Sequence, residues 1–483
     1  MKTRYQTFKC VLSLTLFSLF LLTGCGHYSM EKVRFAFEER DFEGALAHLD
    51  EGGKGKAKLP YLFERGLITH YANRFDESNQ ALEIAELISE DLYTKSISKE
   101  VASLLTSDNV RPYSGTQYER LLIHYYRALN YVYLDLPDEA LVECRRAGQL
   151  LQYYADKDPT YKFTGAAFLS YLSGILYEWT GDWNDAYISY RWAEKGYNQY
   201  EEHLGVPFPK DVGYALVRLA RMLGFSEEAE RYAQLYGEPP QPTPGSGELI
   251  LIYESGFVPQ KTEINIVLPI LKTDKFGSKE EEENDDDDNK KKRNQKRKRK
   301  RNKQGDKEIW EFADELTSRR DLQYEKVNLE YLLRVAIPAY TSNRPQLVGV
   351  EAQVDNVRVS GVLAEDVQAA ALATFAAEQK TILLRTVVRA LLKYLGFRRA
   401  EKEGELVGRL FNLLNVVTES ADTRSWETLP NQIFLVRMSL PPGTHDVTLT
   451  FLDNRNQRIR TEILHDVEIR ADGKTFLNYR TFE

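Results

Sequence analysis

The sequence predicts an α+β fold: an N-terminal α-helical repeat array, then a β-rich, sandwich-like domain that contains one long helix. Three observations carry this. Apolar and small residues recur at helical spacing on one register from about residue 30 to 237. The run Pro239-Pro240-Gln241-Pro242-Thr243-Pro244-Gly245-Ser246-Gly247 ends that pattern, and short alternating segments separated by turn residues follow it. Residues 365–395 contain no Gly or Pro and end at Gly396, a natural C-cap position. With 483 residues, 42% hydrophobic and 28% charged, the chain has an ordinary globular composition and enough length for several packed cores.

The helical register is specific. Gly174, Tyr177, Ala186, Tyr190 and Ala193 stand at offsets of 3, 9, 4 and 3, the small-aromatic-small pattern of a tetratricopeptide repeat. Small residues let paired antiparallel helices approach closely, and aromatics fill the space toward the next pair. Gly181-Asp182 supplies the turn. Ala128, Tyr131, Ala140, Cys144 and Ala147 repeat the grid around Leu136-Pro137-Asp138. Gly66, Ser78, Leu82 and Ala85 repeat it around Asn73-Arg74-Phe75-Asp76. Ala229, Ala233 and Tyr236 fit a later unit, and Ala45 and Leu49 an earlier one. The key small residues fall at 45, 78, 140, 186 and 229, so the repeats carry insertions, the longest between residues 90 and 117.

Arrays of this kind receive a peptide or protein in a concave groove lined by first helices. Glu119, Arg120, His124, Tyr125, Arg127 and Asn130 share such a first helix. Glu119, His124, Tyr125, Arg127 and Asn130 are therefore the candidate partner-binding residues, with Asn130 placed to bond a partner's backbone. Arg145 and Arg146 read as a solvated face beside Glu139 and Glu143, and Trp179, Trp183 and Trp192 as packing between hairpins.

Residues 238–247 form the linker, and 248–483 the β-rich domain. Strands are expected at 248–253, 262–270, 331–338, 347–354, 356–362, 432–440, 445–451, 458–469 and 474–479. Such a succession, with turns at Pro441-Pro442-Gly443 and Asp453-Asn454-Arg455-Asn456, favours an antiparallel sandwich. On the long helix Arg385, Arg389 and Lys393 form a basic ridge at i, i+4, i+8, read as a solvated face. A second helical stretch is expected at 403–417. Asp422 and Arg424 brace a turn, with Trp426 as its core anchor.

Residues 272–308 form a charged insert. Eight acids at 280–283 and 285–288 precede eleven bases at 290–293, 296–301 and 303, so this piece cannot bury a core and is expected to be disordered. No aromatic residues interleave with the bases to stack nucleotides, which argues against nucleic acid as a partner.

The first residues specify location. Lys2, Arg4 and Lys9 precede the apolar run 10–22, too short for a membrane-spanning helix, and Leu22-Thr23-Gly24-Cys25 follows. That tetrapeptide resembles a bacterial lipobox, which implies a signal peptide at 1–24 and diacylglyceryl and acyl chains, palmitate among them, on Cys25. Gly26 in place of aspartate implies the outer membrane, on its periplasmic side. With Cys10 removed and Cys25 lipidated, Cys144 stands alone and no intramolecular disulfide forms.

The stretches Tyr118–Tyr131 and Glu139–Arg146, with Ala421–Pro430, resemble a family of uncharacterised bacterial lipoproteins with tetratricopeptide-type repeats. The resemblance implies fold and location across both halves but no catalytic residues, and the charged insert has no place in its pattern. The sequence itself contains no HExxH, paired CxxC, Gly-rich phosphate loop or GxSxG elbow. No catalytic residues, metal or cofactor are therefore assigned. The function expected is that of a non-enzymatic, outer-membrane-anchored periplasmic adaptor in envelope biogenesis or assembly, attached through lipidated Cys25 and holding periplasmic or outer-membrane proteins. The alternative is a glycan-binding module or enzyme with a site around Asp422, Arg424 and Trp426.

Overall fold

The computed structural model describes residues 30–53, 58–98, 112–157, 166–241, 243–273, 327–341, 344–403 and 420–483. The signal segment with Cys25, the charged runs of the insert and nearly all of the helix expected at 403–417 lie outside the described residues.

Among the described residues, ten helices pair into five antiparallel hairpins: α1 (Met30–Glu38) with α2 (Phe42–Gly53), α3 (Lys58–Tyr71) with α4 (Phe75–Ser98), α5 (Gln117–Tyr133) with α6 (Pro137–Lys157), α7 (Ala166–Thr180) with α8 (Trp183–Leu204), and α9 (Lys210–Met222) with α10 (Ser226–Tyr236). All five turns are built alike. Each first helix ends at a residue with positive φ: Arg40, Asn73, Asp135, Gly181 or Gly224. The amide N–H of that residue bonds a carbonyl three back, and the next N–H bonds one five back, as in Arg74 N to Thr69 O at 2.9 Å and Asp182 N to Tyr177 O at 2.9 Å. Ala45, Ser78, Ala140, Ala186 and Ala229 each lie five residues beyond these turn residues. The geometry is that of a tetratricopeptide-type array.

Small residues permit the pairing. A Cβ on Gly174 would lie 2.8 Å from the Tyr190 ring, and one on Gly196 would lie 2.9 Å from the Cα of Ala167 in the facing helix. Bulk at Gly196 must therefore push backbone from backbone.

The strands are β1 (Gly247–Ser255), β2 (Lys261–Thr273), β3 (Val327–Tyr340), β4 (Gly349–Val354), β5 (Val357–Ser360), β6 (Val362–Asp366), β7 (Gln432–Leu440), β8 (Gly443–Leu452), β9 (Arg458–Ile469) and β10 (Lys474–Thr481). Sheet I has the order β10-β1-β7-β6 and sheet II the order β5-β4-β8-β9, while β2 and β3 form a separate ribbon. Sheet II is antiparallel throughout. Sheet I is mixed, because β10 runs parallel to β1, which corrects the fully antiparallel expectation. β1 is buried over almost its whole length, and a strand covered on both faces reads as the continuous apolar run 249–253.

Three layers result. Leu249, Leu251, Tyr253, Phe434, Val436 and Met438 face Val350, Ala352, Val447, Leu449 and Phe451 between the sheets. Ile250, Ile252, Ile433 and Leu435 turn the other way and join the core of the helical array. Array and sandwich thus share one compact unit, which also takes in the start of α11 (Val367–Glu403) up to Arg389. Asn265–Val335 and Ala390–Glu419 form the second unit. Within it the Tyr331 ring lies 4.8 Å from that of Phe397 and 5.4 Å from that of Tyr394.

Two expectations for the long helix fail. It runs through Gly396 to Glu403, because continued helix places Phe397 on the Tyr331 ring. The basic ridge is no solvated face either. Arg389 is buried, while Leu384, Val387, Leu391 and Leu395 are exposed. Among the described residues, no helix is long and apolar enough to cross a membrane.

Gly196→Ala is expected to destabilise the chain by about 1–3 kcal/mol through overpacking. Gly148→Ala, where a Cβ meets open space within α6, should instead stabilise it by about 0.5–1 kcal/mol. Urea unfolding midpoints of the two variants check both signs.

Candidate functional site

The groove side of the array is where the chain's buried charges collect, and the chain itself fills it. Helix α5 is buried at fifteen of its positions, Glu119, Arg120, His124, Arg127 and Asn130 among them. Three clusters tie it and its neighbours to the β-rich half.

The first is a clip. Glu64 on α3 accepts the amide N–H of Glu427 at 2.7 Å and the hydroxyl of Thr428. Glu119 on α5 accepts the amide N–H of Trp426 at 2.7 Å, while its other oxygen takes the amide N–H of Thr116 at 2.6 Å and the hydroxyl of Tyr113. The Trp426 ring, fully buried, stacks on Phe63 at 4.7 Å. Two carboxylates thus hold the successive backbone N–H groups of Trp426 and Glu427, with the Trp426 ring as anchor, as they would hold an extended peptide. Here the peptide is its own segment Ala421–Pro430. Asp422 accepts from Nε and the amide N–H of Arg424 at 2.8 and 3.1 Å, which gives the bracing read from the sequence.

The second cluster surrounds Glu254 of β1. The hydroxyls of Tyr125 and Tyr126 donate to it at 3.0 and 2.9 Å, and Tyr71 donates as well. Asn478 donates at 3.3 Å. Burial pushes the Glu254 carboxyl up to about 7, against the opposing pull of Arg480. Arg480 lies among the rings of Phe37, Tyr71, Phe257 and Phe482 at 5.1–5.2 Å and donates to the carbonyls of Gly256 and Thr428.

The third is an ion knot. Arg437 of β7 meets Glu178 of α7 at 2.8 Å and Glu248 of β1 at 2.6 Å. Lys474 of β10 bonds the same two carboxylates, 3.0 Å from Glu178, and Arg218 of α9 reaches Glu178 at 2.5 Å. Burial alone would raise both carboxyls. The facing Arg437 and Lys474 outweigh it and hold Glu248 down at about 2 and Glu178 well below its ordinary range.

The five candidate partner-binding residues are therefore all inside the molecule. Glu119 holds the clip, and Tyr125 bonds Glu254. Asn130 donates to Ser78 and Asn79 at 2.9 Å each and presents its oxygen to His70 Nδ1 at 2.6 Å. His124 and Arg127 meet Glu143 at 2.8 and 3.1 Å. Glu86, His124 and Glu143 bring ligand atoms together as a metal site would, but Arg127 reaches Glu86 at 2.5 Å and Arg146 reaches both carboxylates at 3.5 Å. Two guanidiniums already match the two acids, so an ion network is complete without a cation. The alternative grouping of Asp422, Arg424 and Trp426 is used up in the clip. Trp183 and Trp192, read as packing residues, are exposed instead.

Sequence reading missed Glu64, Glu178, Glu254, Arg437 and Arg480. For Arg437 the signal was a charge inside an apolar run, Ile433-Phe434-Leu435-Val436-Arg437-Met438.

No family model and no curated protein matches the chain. Among solved structures, a crystal structure of MamA matches at 14% identity over 42% of this chain and 90% of that one, with a TM-score of 0.27. The apo form of RapI matches at 11% over 42% and 66%, with a TM-score of 0.31. BtubC from P. vanneervenii matches at 15% over 44% and 81%, with a TM-score of 0.28.

Arg437→Met leaves Glu178 and Glu248 buried with less countercharge and is expected to cost about 3–5 kcal/mol, read from the urea midpoint. A pH series separates the two kinds of carboxyl. Burial raises Glu64 and Glu365 to about 8 and Glu254 to about 7. The folded chain therefore holds protons there that the unfolded chain has released, and stability falls as pH rises from about 4.5 to 8. Glu178 and Glu248 act oppositely, so stability also falls as pH drops from about 4.5 toward 2. The urea midpoint should peak near pH 5. Glu64→Gln should flatten its alkaline decline.

Proposed function

We propose that the protein is a lipid-anchored scaffold of the cell envelope, held through Cys25 at the periplasmic side of the outer membrane, that presents a rigid surface to protein partners and performs no chemistry. The observation that carries this reading is the filled groove. The polar atoms that would capture a mobile peptide are committed to residues 421–430, to sheet I and to one another within the array, and the apolar core runs from array to sheet, so array and sandwich act as one body. The buried carboxyls of Glu64, Glu254 and Glu365 are raised by burial inside a packed interior, which is a structural use of titratable groups. Partner contact then belongs to surfaces that remain open. The second helices supply apolar side chains there, with Leu87, Trp192 and Leu235 exposed on α4, α8 and α10.

Two measurements in membranes test the scaffold and its anchor. Palmitate label and membrane fractionation are expected to be lost together on Cys25→Ala, and retention of both would remove the anchor. A photo-crosslinking residue at Trp192 of the full chain should form a defined adduct whose reciprocal purification returns this chain, whereas the same residue at the buried Tyr125 should not. Absence of an adduct from every exposed position would remove the scaffold.

A further inference from the structure

A cleft of about 360 Å³ opens beside β10, the edge strand of sheet I. One wall is the strand itself, from Phe476 to Arg480, followed by Phe482. The other is made by three hairpin turns, which contribute Arg40 and Phe42, Asn73 and Phe75, and Tyr133. Volume and composition are those of a site for a small portion of a ligand, apolar and aromatic with a few polar groups.

The backbone of β10 gives the cleft its character. Gly473 and Thr481 turn their carbonyls to β1, accepting from Glu248 at 2.9 Å and Gly256 at 2.8 Å. Strand alternation then turns the N–H and C=O groups of Phe476, Asn478 and Arg480 outward, away from β1. Arg480 O is covered by Nη2 of Arg40 at 2.9 Å. Among the described residues, no hydrogen bond uses the outward groups of Phe476 and Asn478. Two side-chain atoms lining the same cleft, the Tyr133 hydroxyl and the Asn478 amide oxygen, are also buried without a partner. Unpaired strand edges are ordinarily blunted by charge, proline or cover, since they template pairing with another chain. Between Phe476 and Asn478 this edge is bare, and it faces an aromatic wall.

His70 sharpens the polarity. Its Nδ1 faces the Asn130 oxygen at 2.6 Å, because the Asn130 amide group donates elsewhere, so Nδ1 carries the proton and Nε2 is an acceptor. Burial keeps the ring neutral, down to about 4. Arg40 holds φ at 58°, a conformation in which a side chain other than that of Gly or Asn is uncommon, and it bears the cation at the cleft rim.

From this geometry we infer that β10 receives an extended peptide of a partner protein as an added strand, pairing through the outward backbone groups of Phe476 and Asn478 and seating apolar or aromatic side chains against Phe42, Phe75 and Tyr133. About four residues, spanning about 13 Å at strand rise, satisfy both outward residues. The inference rests on the scaffold reading and gives its partner a mode of recognition: main-chain pairing supplies affinity, and alternate side chains supply selectivity.

The probe is a displayed library of random 12-residue peptides selected on the purified full-length chain, followed by synthesis of the enriched peptides. Binding should weaken at least tenfold on N-methylation of every second residue and remain unchanged at the residues between, the signature of one paired edge. Hydrogen exchange of the Phe476 and Asn478 amides, fast in the free chain, should slow on binding. Phe75→Trp, which narrows the cleft, should weaken binding at least tenfold without lowering the unfolding midpoint. N-methylation without a two-residue period, unchanged exchange at both amides, or failure to select any peptide overturns the proposal. Peptides that survive Phe75→Trp but are lost on Trp192→Ala would overturn it and leave the scaffold reading standing. Loss of every crosslinked partner in membranes would remove the scaffold reading itself.

Discussion

Every charge on the helix-facing side of sheet I has to be matched from the layer above it, and that requirement holds the two halves of this protein together. A strand such as β1, covered on both faces, has no water to turn to. Glu248 is met by Arg437 and Lys474 within the sheet, and those two then reach up to Glu178 of the array. Glu254, seven residues from the start of the same strand, is met by tyrosines from α3 and α5. Apolar burial supplies most of the driving force between such layers, but it is indifferent to exact register. Matched charges are not: a shift of one residue along β1 would strand both glutamates.

The same logic explains what was legible in the sequence. The array was readable because close helix approach demands small residues at recurrent positions, and 45, 78, 140, 186 and 229 mark it to the residue. Nine strand segments were readable from alternation and turn chemistry, two of them, 432–440 and 458–469, with their observed ends. Tertiary choices were not. The parallel course of β10 depends on which edge of β1 is left once β7 has paired, and no local pattern records that. Arg389 read as solvent-facing and Arg437 drew no reading, since a charge looks the same in sequence whether water or a buried carboxylate answers it. Gly396 read as a stop signal, but packing of Phe397 overrides it.

Location of the groove followed from the repeat register, whereas its contents did not. Glu119, Tyr125 and Asn130 do stand where a ligand's backbone and side chains would be met. Trp426 meets Glu119 and Glu254 of β1 meets Tyr125, whereas Asn130 is taken up by His70, Ser78 and Asn79 within the array. An array whose docking surface is permanently engaged gains stiffness and gives up that surface for recognition, which moves attention to its outer helices and to the open edge of sheet I.

Distance along the chain sets an order on these events. Each helical hairpin closes over contacts a few tens of residues apart and can form as soon as it emerges. β1, by contrast, must wait for β7 and β10, whose pairing residues lie some two hundred positions downstream. During synthesis the array therefore exists first with an empty concavity lined by glutamates and tyrosines, and the last sixty or so residues arrive to occupy it. That interval is when a holding chaperone would find the greatest purchase, and it closes only once the final strand has been laid down.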